Sequence, residues 1–179
     1  MRDELSALNA AAVLFFENCM AGSWVPGYLA SRGFDADSLR PWRLGYAPAS
    51  WTAFTDYARD LGFGHEEIVI AGLARRSARG SLIDLFRDRL MFPVRAPGGT
   101  VAGFIGRAPP GADRSVPVYL NTPATPLYRK GALLFGLHEA TPALAAGARP
   151  VLAEGPLDAL AITLAHAHPP PAHPPPAHP

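Results

Sequence analysis

Two carboxylates near the end of the chain have the types and the spacing to carry out chemistry. Glu154 directly follows residues 151–153, an apolar run that predicts a buried strand, and Asp158 precedes residues 159–165, which predict a helix. A strand, a turn and a helix in this order put both carboxylates at the mouth of a sheet. Such a pair can hold a divalent cation or transfer a proton. Capping of the helix by Asp158 is the alternative interpretation.

Basic side chains are concentrated in the middle of the chain. Residues 1–74 carry a net charge of −4, residues 75–130 a net charge of +7 and residues 131–179 a net charge of −2. Nine of the ten basic residues in the middle segment are arginines, which can bind a phosphate group through two hydrogen bonds. This asymmetry predicts a polyanionic partner. The alternative is a GC-rich coding sequence, which enriches arginine throughout a protein.

Cysteine content and the N-terminus bear on the cellular compartment. The single cysteine, Cys19, excludes internal disulfides and zinc ribbons. The sequence contains no run of about 18 apolar residues, so no transmembrane helix is expected. Residues 1–4 lack the layout of a signal peptide. We therefore expect a cytoplasmic protein with no membrane partner.

The elements that must position the charged residues begin with a helical segment. Residues 1–74 are expected to form a small helical unit whose aromatic side chains make its core. Apolar spacing and capping residues predict a turn at 45–48 and helices over residues 4–20, 24–31, 35–40, 51–61 and 65–71.

The sequence pattern changes after residue 75 to runs of residues that favour β-strands. Residues 90–94 and 100–105 flank a Pro-Gly-Gly turn, which predicts a hairpin. Residues 108–118 predict a loop rich in proline and glycine. A helix is expected over 135–146, with a possible interruption at Pro142.

The last residues differ sharply from those before them. Residues 169–179 are mostly proline and histidine, which predicts an exposed polyproline-like extension. Weak transition-metal binding is a further hypothesis for His166, His168, His173 and His178. The abrupt change in composition suggests a truncated or frame-shifted end.

Five stretches in a fixed order resemble the catalytic core of bacterial replicative DNA primases. The likeness extends upstream to residues 28–33, 44–48 and 71–73 and covers residues 24–165. The stretches are residues 84–94 (DLFRDRLMFPV), 103–107 (GFIGR), 119–131 (YLNTPATPLYRKG), 134–140 (LFGLHEA) and 154–158 (EGPLD).

The resemblance implies an α+β fold and a function. It divides the chain into a helical lead (1–74) and a basic α+β part of the same subdomain (75–146), then the start of a Toprim domain (147–166) and a disordered tail (167–179). The implied activity is template-directed RNA primer synthesis on single-stranded DNA, with Mg²⁺ or Mn²⁺ as cofactor. The implied partners are the template, the RNA–DNA hybrid and nucleotides, with replication or mobile-element proteins as further candidates.

The resemblance also implies roles for individual residues. Glu154 and Asp158 correspond to the positions that act in catalysis and metal binding. Arg87 and Arg89, two residues apart, are expected to point to the same side of a groove, and pairing with Asp84 or Asp88 is the alternative. The positions implied to contact nucleic acid are Arg87, Arg89, Arg107, Tyr119, Asn121 and Lys130.

The chain departs from the family pattern at several points. Val118 stands where the family carries a lysine, and Pro156 replaces an aromatic residue. A cysteine-rich zinc domain and the later acidic Asp-x-Asp motif are absent from the sequence. We therefore expect nucleic-acid binding without polymerisation by this chain alone. The alternatives are a non-catalytic single-strand-binding module, another Toprim enzyme such as a topoisomerase or nuclease, or an inactive truncated product.

Overall fold

The structure is a computed structural model that describes residues 1–167, with side chains through Ala165. It contains seven α-helices, one 3₁₀-helix and six strands in the described residues. The helices are α1 (Arg2–Asn18), α2 (Val25–Ser31), α3 (Ala36–Leu39), α4 (Ala53–Asp60), α5 (His65–Ile70), α6 (Leu137–Ala145) and α7 (Pro156–Ala167), with the 3₁₀-helix at Arg40–Trp42. The strands are β1 (Gly45–Ala47), β2 (Ala74–Arg76), β3 (Leu82–Asp84), β4 (Arg89–Arg95), β5 (Val101–Arg107) and β6 (Tyr119–Asn121). The mixed helix-and-sheet class expected from the sequence is confirmed.

An antiparallel sheet of four strands, in the order β1-β4-β5-β6, forms the centre of the molecule. The predicted hairpin is confirmed as β4 and β5, with Met91 opposite Gly106. The turn predicted at 45–48 is wrong, because Gly45–Ala47 is a strand that pairs with β4. Gly45 makes this possible, since a Cβ atom there would lie 2.5 Å from the carbonyl carbon of Phe16. Strands β2 and β3 form a separate small hairpin.

The five helices predicted in the first 74 residues are all present, with ends shifted by a few residues. Asp35 caps α3 by accepting a hydrogen bond of 2.9 Å from the amide of Ser38. Helix α6 starts at Leu137 and runs through Pro142 without a break. Pro142 has no N–H to donate within the helix, and the Thr141 hydroxyl donates to the Leu137 carbonyl at 2.8 Å. No helix within residues 1–167 is both long enough and apolar enough to span a membrane.

The helical segment and the sheet share their cores, so residues 1–74 do not form a separate helical unit. In one cluster, Phe16 of α1 packs edge-on against Phe104 of β5 with ring centroids 5.5 Å apart. In a second cluster, Val25 and Trp42 pack with Phe92 of β4. Each cluster therefore joins the acidic first segment to the basic middle segment in one body.

The C-terminal strand prediction is wrong, whereas the helix prediction is confirmed. Val151 and Leu152 are 62% and 80% exposed, and residues 151–153 have no strand geometry. A strand needs a neighbour for its backbone hydrogen bonds, and none of the described strands lies beside this segment. Helix α7 instead docks through Leu157 and Leu160, both buried in the second cluster. The hypotheses on the side chain of His166 and on residues 168–179 lie outside the described part of the chain.

Candidate nucleic-acid interface and acidic turn

A basic and aromatic cluster lies where β5 ends and β6 begins. Arg107 and Tyr119 are directly opposite each other in these strands. The Arg107 guanidinium lies over the ring of Tyr28, 4.6 Å from its centroid, and donates to the Ala108 carbonyl at 2.9 Å. The guanidinium is therefore held by the Tyr28 ring and a backbone carbonyl, on the residue that faces Tyr119 across the two strands.

The acidic turn reaches this cluster through Gly155. A Cβ atom at Gly155 would lie 3.3 Å from Asp158 Oδ2 and 3.5 Å from the Tyr119 hydroxyl, so a tyrosine and a carboxylate flank this glycine. Partial burial raises the pKa of Tyr119; Arg107 opposes the rise and the Asp158 carboxylate adds to it. The structure thus brings together Arg107, Tyr119 and Asp158, three of the residues singled out from the sequence.

The two carboxylates of the turn have the right chemistry for a hard divalent cation. Glu154 and Asp158 are both exposed, and Asp158 lies in the first turn of α7. Carboxylate oxygens are the ligands that Mg²⁺ and Mn²⁺ prefer, and Mg²⁺ is commonly held by one or two carboxylates together with substrate phosphates. Within residues 1–167 no group of three or more His, Cys, Asp or Glu side chains could hold a metal ion. The turn therefore fits part of a cation site.

A second basic and aromatic pair, formed by Arg87 and Trp51, lies on the surface. The Arg87 guanidinium is 4.3 Å from the centroid of the Trp51 ring, and this tryptophan is 59% exposed. Arg87 also donates to the backbone carbonyl of Asp84. Burial lowers the pKa of Arg87, and the nearby positive charge of Arg75 lowers it further. The pair offers a flat aromatic face beside two cations.

Asp84 is hydrogen-bonded to both members of this pair. Its buried carboxylate accepts hydrogen bonds from the amides of Phe54 and Thr55, at 2.8 and 2.9 Å, and from the Thr55 hydroxyl. These amides belong to the first turn of α4, so Asp84 caps this helix from a strand about 30 residues away in sequence. Its own amide donates to the carbonyl of Trp51 at 2.7 Å. Asp84 therefore ties Trp51, α4 and Arg87 together.

Arg87 and Arg89 do not point into a common groove, contrary to the expectation from their spacing. Arg89 is only 5% exposed and donates to the carbonyls of Gly106 and Pro117. Between the two arginines, Asp88 has a positive φ of 49°, which breaks the alternation of a regular strand. The Asp88 carboxylate is fixed by the Trp24 indole at 2.8 Å and the Tyr46 hydroxyl at 2.9 Å.

Asn121 and Lys130 are the remaining sequence candidates, and the hydrogen bonds of the described residues do not link their side chains to the cluster. Asn121 ends β6 opposite Ile105 and is half-buried, and Lys130 is exposed in the loop after the buried Tyr128. Sequence reasoning missed Tyr28 and assigned Trp51 to the core. Trp51 precedes α4 instead of lying within it, so the helical pattern that suggested its burial does not apply to it.

Comparison with known proteins gives a consistent result. A sequence model described as the DNA primase catalytic core, N-terminal domain, matches residues 16–141. The DNA primase of Mycobacterium tuberculosis (strain ATCC 25618 / H37Rv) is 37% identical over 167 residues, which are 92% of this chain and 26% of that primase. The DNA primase of Streptomyces coelicolor is 41% identical over 138 residues, covering 77% of this chain and 21% of that primase.

Solved structures show the same similarity. The crystal structure of the RNA polymerase domain of Mycobacterium tuberculosis primase DnaG matches with a TM-score of 0.87 at 36% identity, covering 93% of this chain and 54% of that one. A DnaG primase catalytic domain bound to ssDNA matches with a TM-score of 0.77 at 30% identity, covering 90% of this chain and 52% of that one.

The fold and the site define an α+β core of the kind found in bacterial primases. The chain belongs to the family of the DNA primase catalytic core, N-terminal domain. It spans about a quarter of the length of the curated relatives it matches and about half of the matched structures.

Proposed function

We propose that this chain is the template-handling N-terminal part of a DNA primase catalytic core. The activity to which it contributes is template-directed synthesis of an RNA primer on single-stranded DNA. The observation that carries the proposal is the meeting of Arg107 and Tyr119, at the edge of the basic sheet, with the acidic turn at Gly155 and Asp158. Primer extension needs this juxtaposition, because nucleic-acid phosphates must be held beside carboxylates that bind a cation.

The basic and aromatic pairs suit a single strand. Proteins that bind single-stranded nucleic acid combine cations along the phosphate backbone with aromatic faces on which bases stack. Trp51 beside Arg87 offers such a face, and Arg107 beside Tyr28 offers a held cation. Matched structures solved with DNA support the assignment, including the Mycobacterium tuberculosis domain in complex with a double-stranded DNA oligomer that has a 6-nucleotide overhang.

Glu154 and Asp158 would provide carboxylate oxygens for Mg²⁺ or Mn²⁺. When bound, such a cation would lower the pKa of an attacking hydroxyl and neutralise charge on the phosphate oxygens. Arg107 keeps a positive charge next to the turn, and Tyr119 places its hydroxyl beside Gly155. With two carboxylates in the turn, we expect binding of DNA by this chain and no primer synthesis without further acidic ligands.

Anisotropy of a fluorescent single-stranded oligonucleotide at two salt concentrations tests the proposal. We expect salt-sensitive binding, and we expect Arg107→Ala or Arg87→Ala to weaken it and to reduce the slope of log affinity against log salt by about 0.7. Arg59→Ala is the matched control, because Arg59 is an exposed arginine of the acidic segment that pairs with Asp56. Equal losses in all three variants, or no binding by folded protein, would contradict the proposed function.

A primer-synthesis assay with Mg²⁺ or Mn²⁺ separates binding from catalysis. We expect no RNA product from this chain on a single-stranded template. Product formation that Glu154→Gln abolishes would show that the turn completes a metal site without further ligands. DNA binding that is unaffected by Glu154→Gln, with no product, is the result expected here.

A further inference from the structure

Arg89 is a buried cation for which nucleic-acid contact offers no explanation. Its side chain is 5% exposed, and Nη1 donates to the carbonyls of Gly106 and Pro117, both at 3.0 Å. Burial lowers the pKa of Arg89, yet an arginine keeps its charge at neutral pH. A buried guanidinium shared between two backbone carbonyls connects two segments that are distant in sequence.

The strand next to Arg89 is shaped to admit it. A Cβ atom at Gly106 would lie 2.9 Å from Arg89 Cδ and 2.8 Å from Phe86 Cδ1. Any side chain at this position would therefore displace the arginine or the phenylalanine. The absence of a side chain at Gly106 leaves room for the arginine stem to cross β5.

The second carbonyl held by Arg89 lies at the end of the 108–118 loop. Pro117 comes two residues before Tyr119, and the Ala108 amide closes the loop by donating to the Val118 carbonyl at 2.8 Å. Arg89 thus fixes this end of the loop to β5 just before β6 begins. The first residue of β6 is Tyr119, whose hydroxyl lies beside Gly155 of the acidic turn.

We propose that Arg89 is a positioning residue that holds the 108–118 loop against β5 and so places Tyr119 beside the acidic turn. This inference rests on the proposed function where it concerns DNA binding, and on the fold alone where it concerns the loop. Arg89 sets the position of a residue in the interface without touching the nucleic acid itself.

Hydrogen exchange tests the structural part without any ligand. Losing hydrogen bonds to a charged donor should speed exchange of the Ala108 amide by about ten- to a hundredfold in Arg89→Met. Amides of Phe92 and Phe104 in the sheet should keep their protection. Gly106→Ala places a methyl group against Arg89 Cδ and Phe86 Cδ1, so it should also speed exchange at Ala108 without removing a charge. Unchanged exchange at Ala108 in both variants would overturn the proposal.

DNA binding tests the functional part. Arg89→Met should weaken binding of a single-stranded oligonucleotide about threefold or more while leaving the salt slope unchanged, whereas Arg87→Met should reduce the slope. In a Tyr119→Ala background, Arg89→Met should have no further effect. A reduced slope in Arg89→Met would show direct phosphate contact, and an undiminished loss in the Tyr119→Ala background would show a general structural role; either result overturns the proposal.

Two controls keep the outcomes distinct. If Arg89→Met does not fold, Arg89→Lys retains the charge and can serve one carbonyl, so it should show an intermediate exchange rate at Ala108. If the unaltered chain does not bind DNA, the proposed function fails, and the Ala108 exchange in Arg89→Met or Arg89→Lys still decides whether Arg89 holds the loop.

Discussion

Replacement of Asp84 by asparagine should destabilise the protein by about 2–3 kcal/mol. Asp84 is 2% exposed and accepts hydrogen bonds at both carboxylate oxygens, from the Phe54 amide on one and from the Thr55 amide and hydroxyl on the other. Asparagine keeps one acceptor and turns an NH₂ group towards a donor. A lost hydrogen bond to a charged group costs about 1.5–3 kcal/mol, and loss of the favourable charge at the N-terminus of α4 costs about 0.3–1 kcal/mol more.

One opposing contribution limits this effect. Burial raises the pKa of the Asp84 carboxyl, which means that burying its charge is itself unfavourable, and asparagine avoids that cost. The estimate of about 2–3 kcal/mol is taken from the lower part of the summed range of about 1.8–4 kcal/mol to allow for this offset. The net effect remains destabilising because the Phe54 and Thr55 amides are buried and lack solvent as a substitute partner.

Urea denaturation followed by circular dichroism measures the change. Thr55→Val is the matched control, because it removes only the hydroxyl bond to Asp84 and should cost about 1.5 kcal/mol, the low end for a bond to a charged group. DNA binding by folded Asp84→Asn should be nearly unchanged, since the contacts of residue 84 with Trp51 and Arg87 are made by its main chain. A loss of stability below about 0.5 kcal/mol, within the range of ordinary surface substitutions, would refute the view that this carboxylate caps α4.

Two further predictions concern pH and charge. Burial and donation to Asp88 raise the pKa of Tyr46 to about 12, so this tyrosine should titrate well above the ordinary value of 10 in ¹³C NMR of labelled tyrosine. The contribution of Tyr46 to stability is fully present below pH 10 and is lost as the pH rises towards 12. Tyr46→Phe should abolish this loss. Titration of Tyr46 near pH 10 in the folded protein would contradict the raised pKa. Val118→Lys places a cation at a position that is 58% exposed and next to Tyr119. It should steepen the salt slope of DNA binding by about 0.7. An unchanged slope would contradict this prediction.

Local sequence signals predicted the elements whose geometry is local. The hairpin of β4 and β5 follows from two β-prone runs around Pro-Gly-Gly, and α3 follows from the capping residue Asp35. Strand β1 was missed because its evidence lies in its partner, β4, more than 40 residues further along the chain. The strand prediction at 151–153 was wrong because it considered the apolar run alone and not whether a partner strand lies beside it. An apolar run becomes a strand only beside a partner, and the described residues supply none there.

The candidate site was predictable in residue type and not in arrangement. Arg107, Tyr119 and Asp158 were identified from motifs, but their meeting at Gly155 depends on the docking of α7 through Leu157 and Leu160. Alternation along a strand placed Arg89 on the surface beside Arg87. The positive φ of Asp88 reverses that expectation, and such a φ at a residue other than glycine has no clear signal in sequence.

The shared cores change how the segregation of charge should be understood. Divided by sequence, the acidic residues 1–74 and the basic residues 75–130 suggest separate units. Because Phe16 of the first segment packs against Phe104 of the second, the two charge distributions belong to one folded body. Acidic residues on the same body repel phosphate groups, so they bear on where and in which orientation a polyanion can bind. For the DNA binding that we propose, Arg59→Ala in the acidic segment should leave the salt slope unchanged.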